Sequence, residues 1–316
     1  KKIQMNEGVC PAYSDCRMGL SPDRFILSYC DRALGITSAE EQPVLPKGNN
    51  LSLHLLELFT SRVAKVGMTD GIRQVLQEES DALRAYYEQA GILIARPAGG
   101  TSCRLAISAK GGTNAENHNH NDVGSYAVAL GSETMVGDQG GPNSYPGDYF
   151  NGDAPQKYKI KGSFGHPVPV VDGRTQSSGG KAKGVVLQKE FTNEKDVFSI
   201  DYTSAYSTPN LDKLIRTFVY DRQGKGSFTV GDEFTAKTPI RFETAITTRA
   251  DWKVLDDTHL LLATDSEQMI VAIDASGKVA FTSETIEVNS PAYTRIGIAL
   301  KNQSKEGYIR LKMYTK

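Results

Sequence analysis

Residues 117–126 read NHNHNDVGSY, so His118, His120 and Asp122 alternate with Asn117, Asn119 and Asn121. Imidazole is the side chain that exchanges protons near neutral pH and the commonest metal ligand. In an extended backbone, alternate side chains share a face. The pattern therefore predicts His118, His120 and Asp122 projecting together, with the asparagines pointing the other way. Asp138, in TMVGDQGG, ends an apolar strand at a glycine-rich turn where backbones can approach closely, and His166, in GSFGHPVPVV, opens the next strand. His120, Asp138 and His166 would offer two nitrogens and an oxygen, a set suited to Zn²⁺ with water or another group in a fourth position. The same three residues would also serve as a hydrogen-bonded polar core, and spacing does not choose between the two.

The following loop, NSYPGDYFNGDAPQKYK, carries Tyr145, Tyr149 and Tyr158, with Lys157, Lys159 and Lys161 at alternate positions. Tyrosines can exchange protons and lysines can hold carboxylates or sulfates, which suggests carbohydrate chemistry. A solvated edge strand protected by lysine gives the same lysine pattern.

Two kinds of element must position these residues. Ser21, Pro22 and Asp23 before Phe25-Ile26-Leu27 read as a helix start. LSLHLLELFTSRVAKVG repeats apolar residues at Leu51, Leu55, Leu58 and Val63, with Gly67 as C-cap. A further helical pattern runs through Ile72, Val75, Leu76, Leu83 and Tyr86 to Gly91. Beyond Gly91 the period becomes two. About a dozen short segments rich in β-branched and aromatic residues, from GILIARPA and CRLAISAK to RIGIALK and YIRLKMY, are separated by turn residues. The expected fold is mainly β with an N-terminal helical segment: residues 1–90 helical and residues 91–316 a large antiparallel β-sandwich.

The 316 residues include 36 basic and 37 acidic side chains, so no field extends over the whole surface to attract nucleic acid or membrane. No run approaches the roughly 20 apolar residues of a bilayer span. Cys10, Cys16, Cys30 and Cys103 match neither zinc-knuckle spacing nor a disulfide scaffold. Buried or free thiols are expected, with one bridge within the first three as the alternative.

The string KGGTNAENHNHNDVGSY, followed by GDQGG, the tyrosine loop, SFGHPVPVVDGRTQ and KLIRTFVYDRQGKGSFTVGDEF, resembles the C-terminal region of the heparinase II/III-like polysaccharide lyases. The resemblance covers most of residues 91–316. It implies an antiparallel β-sandwich behind an α/α toroid, with the active site in the cleft between them. The helices of 21–91 would then be the last turns of a toroid whose larger part this sequence lacks, making the chain the C-terminal portion of a lyase. By the same resemblance His118 is the catalytic histidine. His120, Asp138 and His166 are zinc ligands, and a loop tyrosine, Tyr149 or else Tyr145, faces substrate. The implied reaction is β-elimination on a uronic-acid-containing anionic polysaccharide, glycosaminoglycan or alginate-like, in the periplasm or outside the cell, with a homodimer left open. Two other classes compete: a noncatalytic carbohydrate-binding or scaffold module with a structural metal, and a zinc hydrolase.

Overall fold

The computed structural model describes residues 4–6, 9–16, 82–287 and 291–316. The chain divides into two compact units, residues 1–2 with 20–82 and residues 3–19 with 83–316, and every strand below lies in the second. The helical patterns expected between 21 and 81 lie outside the described residues, as does Cys30. No helix among the described residues is long and apolar enough to cross a membrane.

Among the described residues, nineteen strands form antiparallel sheets. The first five-stranded sheet, in the order β1-β2-β3-β5-β6, takes β1 (Arg84–Tyr87), β2 (Ile92–Ala95), β3 (Leu105–Lys110), β5 (Tyr126–Leu130) and β6 (Glu133–Val136). A pair is formed by β4 (Thr113–Asn114) and β8 (Gly179–Lys183). Four strands, β7 (Val170–Val171), β13 (Phe242–Thr248), β17 (Val279–Ile286) and β18 (Tyr293–Leu300), make a second sheet in the order β17-β18-β13-β7. The largest sheet has eight: β9 (Val185–Phe191), β10 (Lys195–Asp201), β11 (Leu211–Asp221), β12 (Ser227–Ile240), β14 (Asp251–Asp256), β15 (His259–Ala263), β16 (Gln268–Ala275) and β19 (Ser304–Thr315).

One apolar core joins the eight-stranded sheet to the two smaller ones. The rings of Phe218 and Phe228 stack 6.2 Å apart across β11 and β12, and Tyr126 of β5 packs on both. The two smaller sheets meet where Gly137 N–H donates to Thr247 O (3.0 Å) and the Thr247 hydroxyl donates to Gly137 O (2.6 Å).

The central strands of the five-stranded sheet are buried on both faces, and their alternation shows how. Leu105, Ile107, Tyr126, Val128 and Leu130 face the inter-sheet core, while Ala106, Ala127 and Ala129 face the other way. That small-residue face is covered by the N-terminal segment, whose Met5 and Val9 pack on it. Asn6 Nδ2 donates to Gly131 O (2.9 Å), and the hydroxyls of Tyr13 and Ser108 lie 2.7 Å apart.

Three local expectations are corrected. Residues 84–87, expected to end a helix at Gly91, form β1, paired with β2 in the register Arg84↔Ala95 to Tyr87↔Ile92. Tyr86 packs at 5.8 Å against both Phe191 and Phe198, an aromatic contact that outweighs helical periodicity. Gly91 supplies the positive φ (62°) of the connecting turn, and a Cβ there would meet Gly112 N at 2.8 Å. The 117–122 segment is a turn, not an extended strand. The lysine series is no edge strand either: Lys157 ends a one-turn helix α1 (Ala154–Lys157) and pairs with Asp148, Lys159 pairs with Glu284, and Lys161 is buried. Cys10 and Cys103 are free thiols.

Candidate metal centre

The histidine turn leads into β5 and is fixed from three sides. Asn114 of β4 accepts the Asp122 N–H (3.1 Å), and Gln176 accepts the Val123 N–H (3.2 Å) while donating to Val123 O (2.7 Å). Asp122 pairs with Lys110 at 2.6 Å, both side chains buried. Burial opposes charge on that lysine, but Asp122 and Glu116 hold its ammonium above the usual range.

The third anchor comes from the sandwich core. Arg216 is fully buried and forms a fork with Asp232, Nε to Oδ1 and Nη2 to Oδ2, both 2.7 Å. Its Nη1 donates to Gly124 O (2.7 Å) and Pro167 O (2.8 Å), and Nη2 also reaches Thr244 Oγ1 (3.1 Å). One guanidinium thus ties together the segments following His120 and His166.

Between those anchors, His120, Asp138 and His166 converge with one ligand atom from each within 4.8 Å of the others, all three residues buried. Asp138 follows β6. His166 follows a 3-10 turn, Ser163–Gly165, and precedes β7 rather than opening it. His166 Nδ1 lies 2.8 Å from Asp138 Oδ2, and the two imidazole centroids are 5.3 Å apart.

The donor set fits a zinc ion. His120 Nδ1 and His166 Nε2 are buried nitrogens with no hydrogen-bond partner among the described residues, an arrangement that is costly unless a cation or another group meets them. Burial lowers the His120 pKa, which keeps this imidazole in the neutral form that ligates metals. Burial also opposes charge on His166, but the Asp138 carboxylate raises its pKa overall; Asp138, penalised by burial, is held low by His166, His120 and the Gly140 N–H.

His118, the other imidazole of the turn, has 67% of its side chain exposed. Its φ of 56° lies in the left-handed region, which histidine enters more readily than most residues. The turn, not an extended strand, brings the two rings together: both face Asp15, with His118 Nδ1 2.8 Å from Oδ2 and His120 Nε2 3.0 Å from Oδ1. Asp122 points away from them, to Lys110. Asp15 reaches the site because two glycines leave room for its segment. A Cβ on Gly140 would lie 1.7 Å from Cys16 O, and one on Gly141 would lie 2.9 Å from Asp15 Cα.

The tyrosine loop closes over this pair. Tyr149 is fully buried, its hydroxyl 2.9 Å from His120 Nε2, and its pKa is raised by burial and then by Asp15. Lys161 Nζ donates to Tyr149 O (2.7 Å) and sits over the Tyr149 and Phe150 rings. Tyr145 (41% exposed) and Phe150 (54%) form the outer surface, with the Phe150 centroid 5.5 Å from that of His118. Tyr158 bonds Asp148 instead.

No family model and no curated protein matches the sequence. Solved structures do match. The chain is similar in fold to heparinase III. A heparan sulfate lyase HepC from Pedobacter heparinus aligns with a TM-score of 0.67 and 14% identity over 100% of this chain and 45% of its own. Two heparinase III structures align at TM-scores of 0.65 and 0.63, with 12% and 15% identity, over 44% and 46% of their lengths. The chain therefore spans less than half of these proteins, and the likeness is one of fold.

Asp15 and Arg216 were not expected from the sequence as site residues. Asp15 lies 105 residues from His120 in an unremarkable PAYSDC stretch, and no spacing rule connects them. Arg216 does sit in a strand otherwise apolar on alternate positions, LDKLIRTFVYD, where a charge on the inward face signals a buried partner.

Proposed function

We propose that the protein is a polysaccharide lyase, or the C-terminal portion of one, that cleaves a uronic-acid-containing anionic polysaccharide by β-elimination, outside the cytoplasm where such polymers are met. The observation that carries this reading is the division within the histidine turn. His120 is buried with Asp138 and His166 as a metal-ligating set, and His118, two residues earlier, is exposed beside an aromatic surface. The fold shared with heparan sulfate lyases supports it.

In the reaction, the C5 proton of the uronate is removed, the C–H electron pair becomes the C4–C5 double bond, and the C4–O glycosidic bond breaks as its oxygen takes a proton. His118 acts as the base, or as the group neutralising the uronate carboxylate, according to the epimer at C5. Tyr149 is assigned as the loop tyrosine that donates to the leaving oxygen, because a phenol is protonated at neutral pH and carries an O–H to give. Zinc held by His120, Asp138 and His166 would lock the turn that presents His118 and add positive field for the charge developing on the substrate.

One observation favours a second reading, a noncatalytic carbohydrate-binding module with a structural metal: the Tyr149 ring is wholly buried, leaving Tyr145 and Phe150 as the aromatic surface open to sugar. The two readings part in one experiment. The natural full-length protein is offered heparan sulfate, hyaluronan, chondroitin and alginate, and the ultraviolet absorbance of unsaturated uronyl ends is followed. The lyase reading predicts absorbance growth on at least one polymer and its loss in His118→Ala. Polymer binding without absorbance change supports the module, and new reducing ends without absorbance support hydrolysis.

A further inference from the structure

A single carboxylate faces both histidines of the turn, and its chemistry fixes where their protons sit. An ionised aspartate only accepts hydrogen bonds, so each imidazole nitrogen facing it carries a hydrogen. His120 therefore bears its proton on Nε2, opposite Asp15 Oδ1, which leaves the partnerless Nδ1 as the nitrogen available to a cation. His118 bears its proton on Nδ1, opposite Asp15 Oδ2, which leaves Nε2 as the lone-pair nitrogen of an exposed ring.

We propose that Asp15 is a positioning residue that holds His118 in the Nδ1–H tautomer, with Nε2 bare to accept a proton, and ties that ring to the one that holds metal. The assignment of Nε2 as the reacting atom rests on the lyase reading; the tautomer does not. The carboxylate is well placed for this, with only 8% of its side chain exposed. Its segment is held from both sides, by the Tyr13–Ser108 contact (2.7 Å) and by Gly141 N–H donating to Cys16 O (3.1 Å). The order in which the chain supplies these groups also matters. Asp15 belongs to a strap laid over the sheet, so displacing the strap would release the His118 and His120 rings together.

Asp15→Asn separates the two acceptor roles. An amide has one acceptor oxygen and a donating NH₂. His120, whose Nε2–H must be accepted while Nδ1 serves a cation, keeps the oxygen. The NH₂ is then left for His118 Nδ1, which forces the His118 proton to Nε2. The test is nitrogen-15 NMR of the histidine-labelled, zinc-loaded chain at about pH 9, above the ordinary imidazole range. The wild type is expected to show His118 as Nδ1–H and Asp15→Asn to show it as Nε2–H, with zinc content and the His120 signals unchanged. In a full-length protein that eliminates, the variant lowers kcat by about 10²-fold or more while KM stays within about two-fold. A wild-type His118 that is mainly Nε2–H overturns the proposal, as does a folded, zinc-replete Asp15→Asn with the wild-type tautomer. If the variant does not fold, the wild-type spectrum decides alone. A protein that shows the predicted tautomers and eliminates nothing refutes the lyase reading and leaves this one standing.

Discussion

Arg216 makes all five of its N–H groups count, and the cost of losing them can be worked out from where each one goes. Arg216→Lys keeps the positive charge, but a single ammonium cannot span Asp232, Gly124 O, Pro167 O and Thr244. Disrupting a buried network of this kind costs about 3–5 kcal/mol, which lowers Tm by about 6–20 °C in a domain of this size. The double variant Arg216→Leu with Asp232→Leu is more discriminating. Replacing a buried ion pair by apolar residues is often neutral, so if charge pairing were the whole role of Arg216 the double variant would recover wild-type stability. Here Gly124 O and Pro167 O are left buried without donors and the Tyr202 and Thr244 hydroxyls without their Asp232 acceptor, at about 1–3 kcal/mol each, so a deficit of about 4–12 kcal/mol should persist. Because those carbonyls lie beside the ligand-bearing segments, zinc affinity should also fall by about 10–100-fold. Thermal unfolding by circular dichroism and a competitive zinc titration provide both readouts. A double variant as stable and as tight for zinc as the wild type would refute the anchoring role.

The Gly140→Ala variant would force a Cβ onto Cys16 O from a φ of 69°, so it should cost about 1–3 kcal/mol by thermal melt and loosen the strap that carries Asp15. Lys110→Met leaves Asp122 buried and unpaired at the end of the histidine turn, with an expected loss of about 3–5 kcal/mol in urea unfolding; a loss under about 1 kcal/mol would refute the role given to the pair. Of the loop tyrosines, Tyr149→Phe removes the hydroxyl beside His120 and should lower kcat in the elimination assay. Tyr145→Phe should leave kcat near wild type; the reverse ranking would transfer the acid role to Tyr145.

The sandwich was legible because its strands obey a period of two: the alternation in LAISAK and YAVAL recurs as large side chains toward the core and alanines toward the strap. Arg84–Tyr87 was not, since RAYY fits either period and only its partners, Phe191 and Phe198, decide for a strand. His120, Asp138 and His166 were put together by residue type and local context, the resemblance favoured metal over a polar core, and their convergence depends on turns that spacing does not encode. The shared-face argument for His118 and His120 reached a sound pairing through the wrong geometry: a left-handed residue at 118, not a pleat, turns both rings to one carboxylate. That carboxylate comes from the far N-terminal segment, and local pattern carries no sign of it.

Zinc content, measured on the full chain and on two single variants, tests the central claim most directly. About one zinc per chain is expected in the wild type and in His118→Ala, and loss of zinc with a lowered Tm in His120→Ala. A wild type that binds no zinc, or a His118→Ala that loses it while His120→Ala retains it, would contradict the division of labour between the buried ring and the exposed one.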